Sequence, residues 1–150
     1  MKIYSRINFI VILLTFLVFS LAQASFEIPG HVYKVSQLKA AQQKAKSNRE
    51  PITFIYSNKN TDCGLATAAS KDIFQGLKKY SVIVYVERND WNKLPAIVRS
   101  GINSPESGRY IPKTIIVDSG INKIICILPY AKTKQRKELI KQALAIISTQ

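Results

Sequence analysis

The chain has 150 residues, with 22 Lys and Arg against 9 Asp and Glu, a formal net charge of +13, and 47% hydrophobic residues. A surplus of positive charge favours acidic partners, but the lysines are spread along the chain, which argues against nucleic-acid binding. His31, the one histidine, lies near the N-terminal end of the domain, so a zinc site or a Cys-His catalytic pair would need partners the chain lacks, and the two cysteines allow at most one intramolecular bridge.

The N-terminus is set apart from the fold. "MKIYSR" carries Lys2 and Arg6, "INFIVILLTFLVFSL" is continuously apolar, and "AQA" ends at Ala24 with the small-x-small pattern of a signal-peptidase site. A retained signal anchor is the competing reading, and the cleavage pattern favours removal. Residues 1–24 are therefore expected to be a signal peptide and 25–150 one domain, large enough for an apolar core. The protein is expected to be exported, periplasmic or secreted from a bacterial cell, without stable membrane insertion after cleavage.

In chain order, "VYKV" (32–35) is a short extended segment. Ser36 is the expected N-cap of a helix to about Ser47. After "REP", the run "ITFIY" reads as a buried strand. A polar loop, "SNKNTD", leads to a helix starting near Cys63, with Asp62 as its cap and Leu65, Ala68, Ala69, Ile73 and Leu77 on its inner side. "VIVYV" (82–86) is a second buried strand. "NDWNKLPAIVRSG" is a short helical segment, with Pro95 in its first turn and Gly101 at its end.

"KTIIV" and "KIICIL" flank "DSGIN", a hairpin with a Ser-Gly turn. In that hairpin Thr114 is expected opposite Cys126. A last helix spans about Lys132–Ser148, with Leu139, Ile140, Ala143, Leu144 and Ile147 inward. The order is β-α-β-α-β-α-β-β-α, and strands apolar throughout predict a sheet covered on both faces.

Little other chemistry is encoded. The glycines of residues 25–150 stand singly, so no phosphate-binding loop is present, and no carboxylate pair points to glycoside hydrolysis. No cofactor and no metal are expected. What stands out is the lone Cys63. At a helix N-terminus the positive end of the dipole favours a thiolate; Asp62, adjacent and negative, opposes it. Asp62 is thus a candidate cap or modulator of the thiol's ionisation, and Lys59 and Lys71 are candidate supporting charges.

The segments "PITFIYSNKNTDCGLA" and "YIPKTIIVDSGINKI", with this order of elements, resemble the thioredoxin-like superfamily. The closest pattern is that of single-cysteine exported members, the anterior-gradient-like group and bacterial relatives. The resemblance implies an α/β fold: a thioredoxin-like three-layer α/β/α sandwich whose mixed central sheet ends in a C-terminal β-hairpin and helix. It also implies a cis-proline at Pro112, opposite Cys63, with Ile111 and Pro112 presenting backbone to a client peptide.

Three departures from the two-cysteine members bear on function. Ala66 stands where their second cysteine resolves a mixed disulfide, Asp62 where thioredoxin has tryptophan, and Ser57 where it buries an aspartate. A complete oxidase or reductase cycle is therefore not expected.

Two functions fit. In one, Cys63 is a catalytic monothiol that exchanges or captures disulfides of client proteins, themselves possibly cysteine-containing. In the other, the fold is a non-catalytic protein-binding module, with Tyr110, Tyr130 and Trp91 near the proline end of the sheet as its surface. A Cys63–Cys126 bridge would need sulfurs from different elements to converge within restrictive geometry. Cys126 in "IICIL" otherwise reads as a core residue.

Overall fold

The computed structural model describes residues 26–149 apart from Asp62; the apolar N-terminal run and its cleavage pattern lie outside the described residues. The elements are β1 (Tyr33–Lys34), α1 (Leu38–Asn48), β2 (Ile52–Tyr56), α2 (Gly64–Leu77), β3 (Val82–Val86), α3 (Ala96–Asn103), β4 (Lys113–Val117), β5 (Ile124–Leu128) and α4 (Thr133–Ile147). The strands form one sheet in the order β1-β3-β2-β4-β5. β1, β3 and β2 run parallel, and β4 and β5 are antiparallel additions. Parallel neighbours require crossovers; α1 lies between β1 and β2 in the chain, and α2 between β2 and β3.

β-Branched side chains fill the central strands, and their alternation feeds two cores. Ile52, Phe54, Val84 and Ile115 meet Ala41 and Ala45 of α1 and Val98 and Ile102 of α3. On the other face Ile55, Ile83, Tyr85 and Ile116 meet Ile73, Phe74 and Leu77 of α2 and Ile140 and Ala143 of α4. The result is the expected α/β/α sandwich with a C-terminal hairpin and helix. Strand order and directions are those of the thioredoxin-like fold. Arg136, buried on α4, donates from Nε (2.9 Å) and Nη2 (2.5 Å) to the Asp72 carboxylate and from Nη1 (2.6 Å) to the Ala131 carbonyl. This ties α4 to α2.

Several local expectations are corrected. Ser36 lies in a 3-10 turn, Val35–Gln37, and the N-cap of α1 is Gln37. Leu65 and Ala68 are exposed; Ala69, Ile73 and Leu77 of α2 face inward as expected, joined by Ala66, Ser70 and Phe74. The segment around Trp91 is a 3-10 turn, and Pro95 is the N-cap of α3. Gly101 sits inside α3 rather than at its end. A Cβ there would lie 2.9 Å from Ile115 Cγ2, so glycine permits the close approach of α3 to β4. In the hairpin Thr114 faces Leu128 and Cys126 faces Ile116, with an irregularity at Ile116/Val117.

Candidate functional site

Cys63 is positioned by the loop that leaves β2. The Thr61 N–H donates to the Asn58 carbonyl (3.3 Å) and the Asn60 N–H to the Asn58 side chain (3.0 Å). The Cys63 N–H then donates to Thr61 Oγ1 (3.2 Å). Cys63 itself is the N-cap of α2, at φ −79° and ψ 96°, and its side chain makes no capping bond. Its carbonyl accepts from the amides of Ala66 (3.0 Å) and Thr67 (3.2 Å), closing the first turn. The exposed thiol is therefore not spent on holding the helix. Cys63 holds the N-cap position; Asp62 lies outside the described residues.

Beneath the thiol the helix is sealed. Ala66 is 3% exposed. The Ser70 hydroxyl donates to the Ala66 carbonyl (3.0 Å) and lies 3.4 Å from Ser57 Oγ, and both serines are buried. Sequence reading missed Ser70; its place on the stripe of Ala66, Ile73 and Leu77 is the signal that could have found it. Lys59 is paired with Glu87 at 3.3 Å, and Lys71 is an exposed residue further along α2. Cys126 is elsewhere, half-buried on β5, where burial pushes its thiol pKa up to about 11. Cys63 and Cys126 are both free.

The proline approaches from the neighbouring strand. Tyr56, the last residue of β2, pairs with Lys113, the first of β4. The Ile111–Pro112 peptide immediately before it is cis. One ladder position thus brings the cis-proline and the loop carrying Cys63 to the same end of the sheet. Pro112 is buried and Ile111 half-buried. Two large apolar side chains beside these residues face solvent: Leu65, 69% exposed, and Tyr110, 71% exposed. Tyr110 also meets Tyr130 edge-on at 6.2 Å. Trp91 packs edge-on to Tyr56 at 6.1 Å.

Among the described residues no three His, Cys, Asp or Glu side chains gather to hold a metal ion, and no helix is long and apolar enough to cross a membrane. Chemically, the site offers one accessible sulfur nucleophile and no thiol in the following helical turn. It can form a mixed disulfide, but it lacks a resolving group of its own.

No family model and no curated protein matches the chain. Among solved structures it is similar to thioredoxin O1 from Arabidopsis thaliana in the oxidized state, with 20% identity over 75% of this chain and 97% of that one and a TM-score of 0.45. The disulphide isomerase from Xylella fastidiosa Temecula1 has 15% identity over 81% and 94%, TM-score 0.49. The DsbH oxidoreductase has 14% over 70% and 79%, TM-score 0.46. The strand order β1-β3-β2-β4-β5, with β4 and β5 antiparallel, identifies the fold as thioredoxin-like.

Proposed function

We propose that this protein handles disulfides of client polypeptides through the single thiol of Cys63. The Cys63 thiolate attacks one sulfur of a client disulfide, forming a Cys63–client disulfide and expelling the client's other cysteine as a thiolate. That thiolate, or another client cysteine, then attacks the client sulfur and releases Cys63. The cycle is electron-neutral and needs no oxidant or reductant. The observation that carries this reading is the exposed Cys63 thiol at the N-cap of α2, with Ala66 buried where a resolving thiol would stand. Ile111 and Pro112 serve as the backbone platform for the client. Export to the periplasm or exterior, where disulfides persist, is supported by the sequence pattern ending at Ala24.

A second reading, a partner-binding module without exchange, is supported by exposed Leu65 and Tyr110 beside the site. The two readings separate on a scrambled-disulfide substrate protein supplied without redox buffer. Under exchange, refolding accelerates with wild type and not with Cys63→Ser, and acid quenching traps a Cys63 adduct. If Cys63→Ser accelerates refolding equally, or no adduct forms, the binding-module reading stands.

A further inference from the structure

Beside the cis-proline lies a groove of about 520 Å³, walled by Tyr56, Trp91 and Ile111 and bordered by Arg88, Arg109 and Lys113. No carboxylate lines it among the described residues. The two carboxylates on the adjoining 3-10 turn are turned to other partners: Glu87 pairs with Lys59 (3.3 Å) and Asp90 with Lys93 (3.2 Å). Arg88 and Arg109 are exposed and take part in no ion pair among the described residues. Lys113 Nζ donates to the Ile102 carbonyl at 2.9 Å, which holds the ammonium at the groove. A larger cavity near Phe26 and Tyr85 mixes three lysines with three carboxylates and has no such bias.

The backbone beside the groove is also open. The β2–β4 ladder ends at Lys113. Backbone groups of residues 109–112 form no loop or side-chain hydrogen bond among the described residues. An extended chain laid there would find unpaired backbone, an aromatic wall and guanidinium groups, which match carboxylates in fork geometry.

We propose that this groove selects the client: an extended polypeptide segment with aspartate or glutamate side chains flanking its cysteine. The inference rests on the client-handling reading and names its substrate class.

The test separates binding from exchange. The protein carrying Cys63→Ser is titrated with three synthetic peptides of equal length, each with a central serine flanked by Asp, Asn or Lys. The Asp peptide should bind about three- to tenfold more tightly than the Asn peptide, the Lys peptide more weakly still, with the preference shrinking as salt rises. Arg88→Glu with Arg109→Glu should abolish the preference. Lys78→Glu with Lys79→Glu alters net charge equally at the far end of α2 and should keep it.

Equal binding of the three peptides, or equal loss of preference in both charge-reversed proteins, would overturn the proposal. So would no binding at all. The same peptides carrying a central cysteine activated with thionitrobenzoate are then offered to wild type. Failure of Cys63 to displace thionitrobenzoate while the Asp preference persists would sink the exchange reading and leave the acidic selectivity standing.

Discussion

The Ala66 amide donates to the Cys63 carbonyl at 3.0 Å, and the Ala66 methyl points into the protein. The first turn of α2 thus places the residue three after the thiol where a second sulfur could meet it, and fills the place with a group that cannot react. Ala66→Cys should therefore change the chemistry more than the fold. Treated with oxidised glutathione, wild type should retain a glutathione adduct at Cys63. The Ala66→Cys protein should resolve it and lose the mass of two hydrogens, by intact mass after acid quench. A persistent adduct in that variant would mean the two side chains do not converge.

Arg136 is 6% exposed, and its guanidinium is held by Asp72 and the Ala131 carbonyl. Asp72→Ala leaves that cation buried with one partner fewer. The expected cost is about 1–3 kcal/mol in urea unfolding, below the range for a fully buried pair because the Asp72 side chain is 41% exposed. The double variant Asp72→Ala with Arg136→Leu should be more stable than Asp72→Ala alone, because no unpaired charge remains. A single variant as stable as wild type would contradict a buried Arg136 held by Asp72.

Alkaline pH should weaken the protein in two overlapping steps. Burial raises the Cys126 pKa from 9.0 to about 11 and the Tyr85 pKa from 10.0 to about 12. Raised native pKa values mean that the native state keeps protons the unfolded chain has released. Stability is therefore full below about pH 9 and falls through about pH 11 and 12. Cys126→Ala should flatten the first part of the fall and Tyr85→Phe the second, in urea midpoints across that range. The Tyr85 hydroxyl is buried and makes no hydrogen bond of good geometry; Ser57 beside it only tempers the rise in its pKa. Tyr85→Phe at neutral pH should therefore be neutral or stabilising by up to about 1 kcal/mol.

The β4–β5 turn hangs on Asp118. Its carboxylate accepts from the backbone amides of Gly120 (3.1 Å), Asn122 (2.7 Å) and Lys123 (2.6 Å). Desolvation pushes its pKa up, but these N–H donors outweigh it and hold the group below its ordinary 3.8. The carboxylate's contribution is thus present above that ordinary value and lost as pH falls through the lowered one. Asp118→Ala should cost about 1–2 kcal/mol at neutral pH, and its stability should fall less than wild type's on acidification, measured by urea midpoints. A variant as acid-sensitive as wild type would contradict the assignment.

Much of the fold was legible because the strands are uninterrupted apolar runs with turn residues between them. What escaped depends on contacts distant in sequence or on local competition. Arg136 reads as one charge in a basic helix; its burial is visible only once Asp72, 64 positions away, is beside it. On the inner face of α2, Ala69, Ile73 and Leu77 were legible, whereas Leu65 and Ala68 escaped because they have the same helical spacing as Ala66 and Ala69. In the hairpin, Ser119-Gly120 suggested where the chain reverses, yet the left-handed residue is Ile121 at φ 60°. Asp118 explains this: its carboxylate grips the amides on either side of Ile121, and its carbonyl takes the Ile121 N–H at 3.0 Å. At the site, Cys63 and Pro112 were legible as motif positions. The groove was not, since Tyr56, Arg88 with Trp91, Ile102 with Asn103, and Arg109 with Ile111 and Lys113 come from four separate stretches.

The most direct measurement is disulfide capture by the native protein at neutral pH, with thionitrobenzoate-activated cysteine peptide in excess and intact mass and peptide mapping as readout. One rapid adduct is expected, on Cys63, with Cys126 modified only after denaturation. Rapid modification of Cys126, or a native protein whose Cys63 takes no adduct while a small free thiol does, would contradict it.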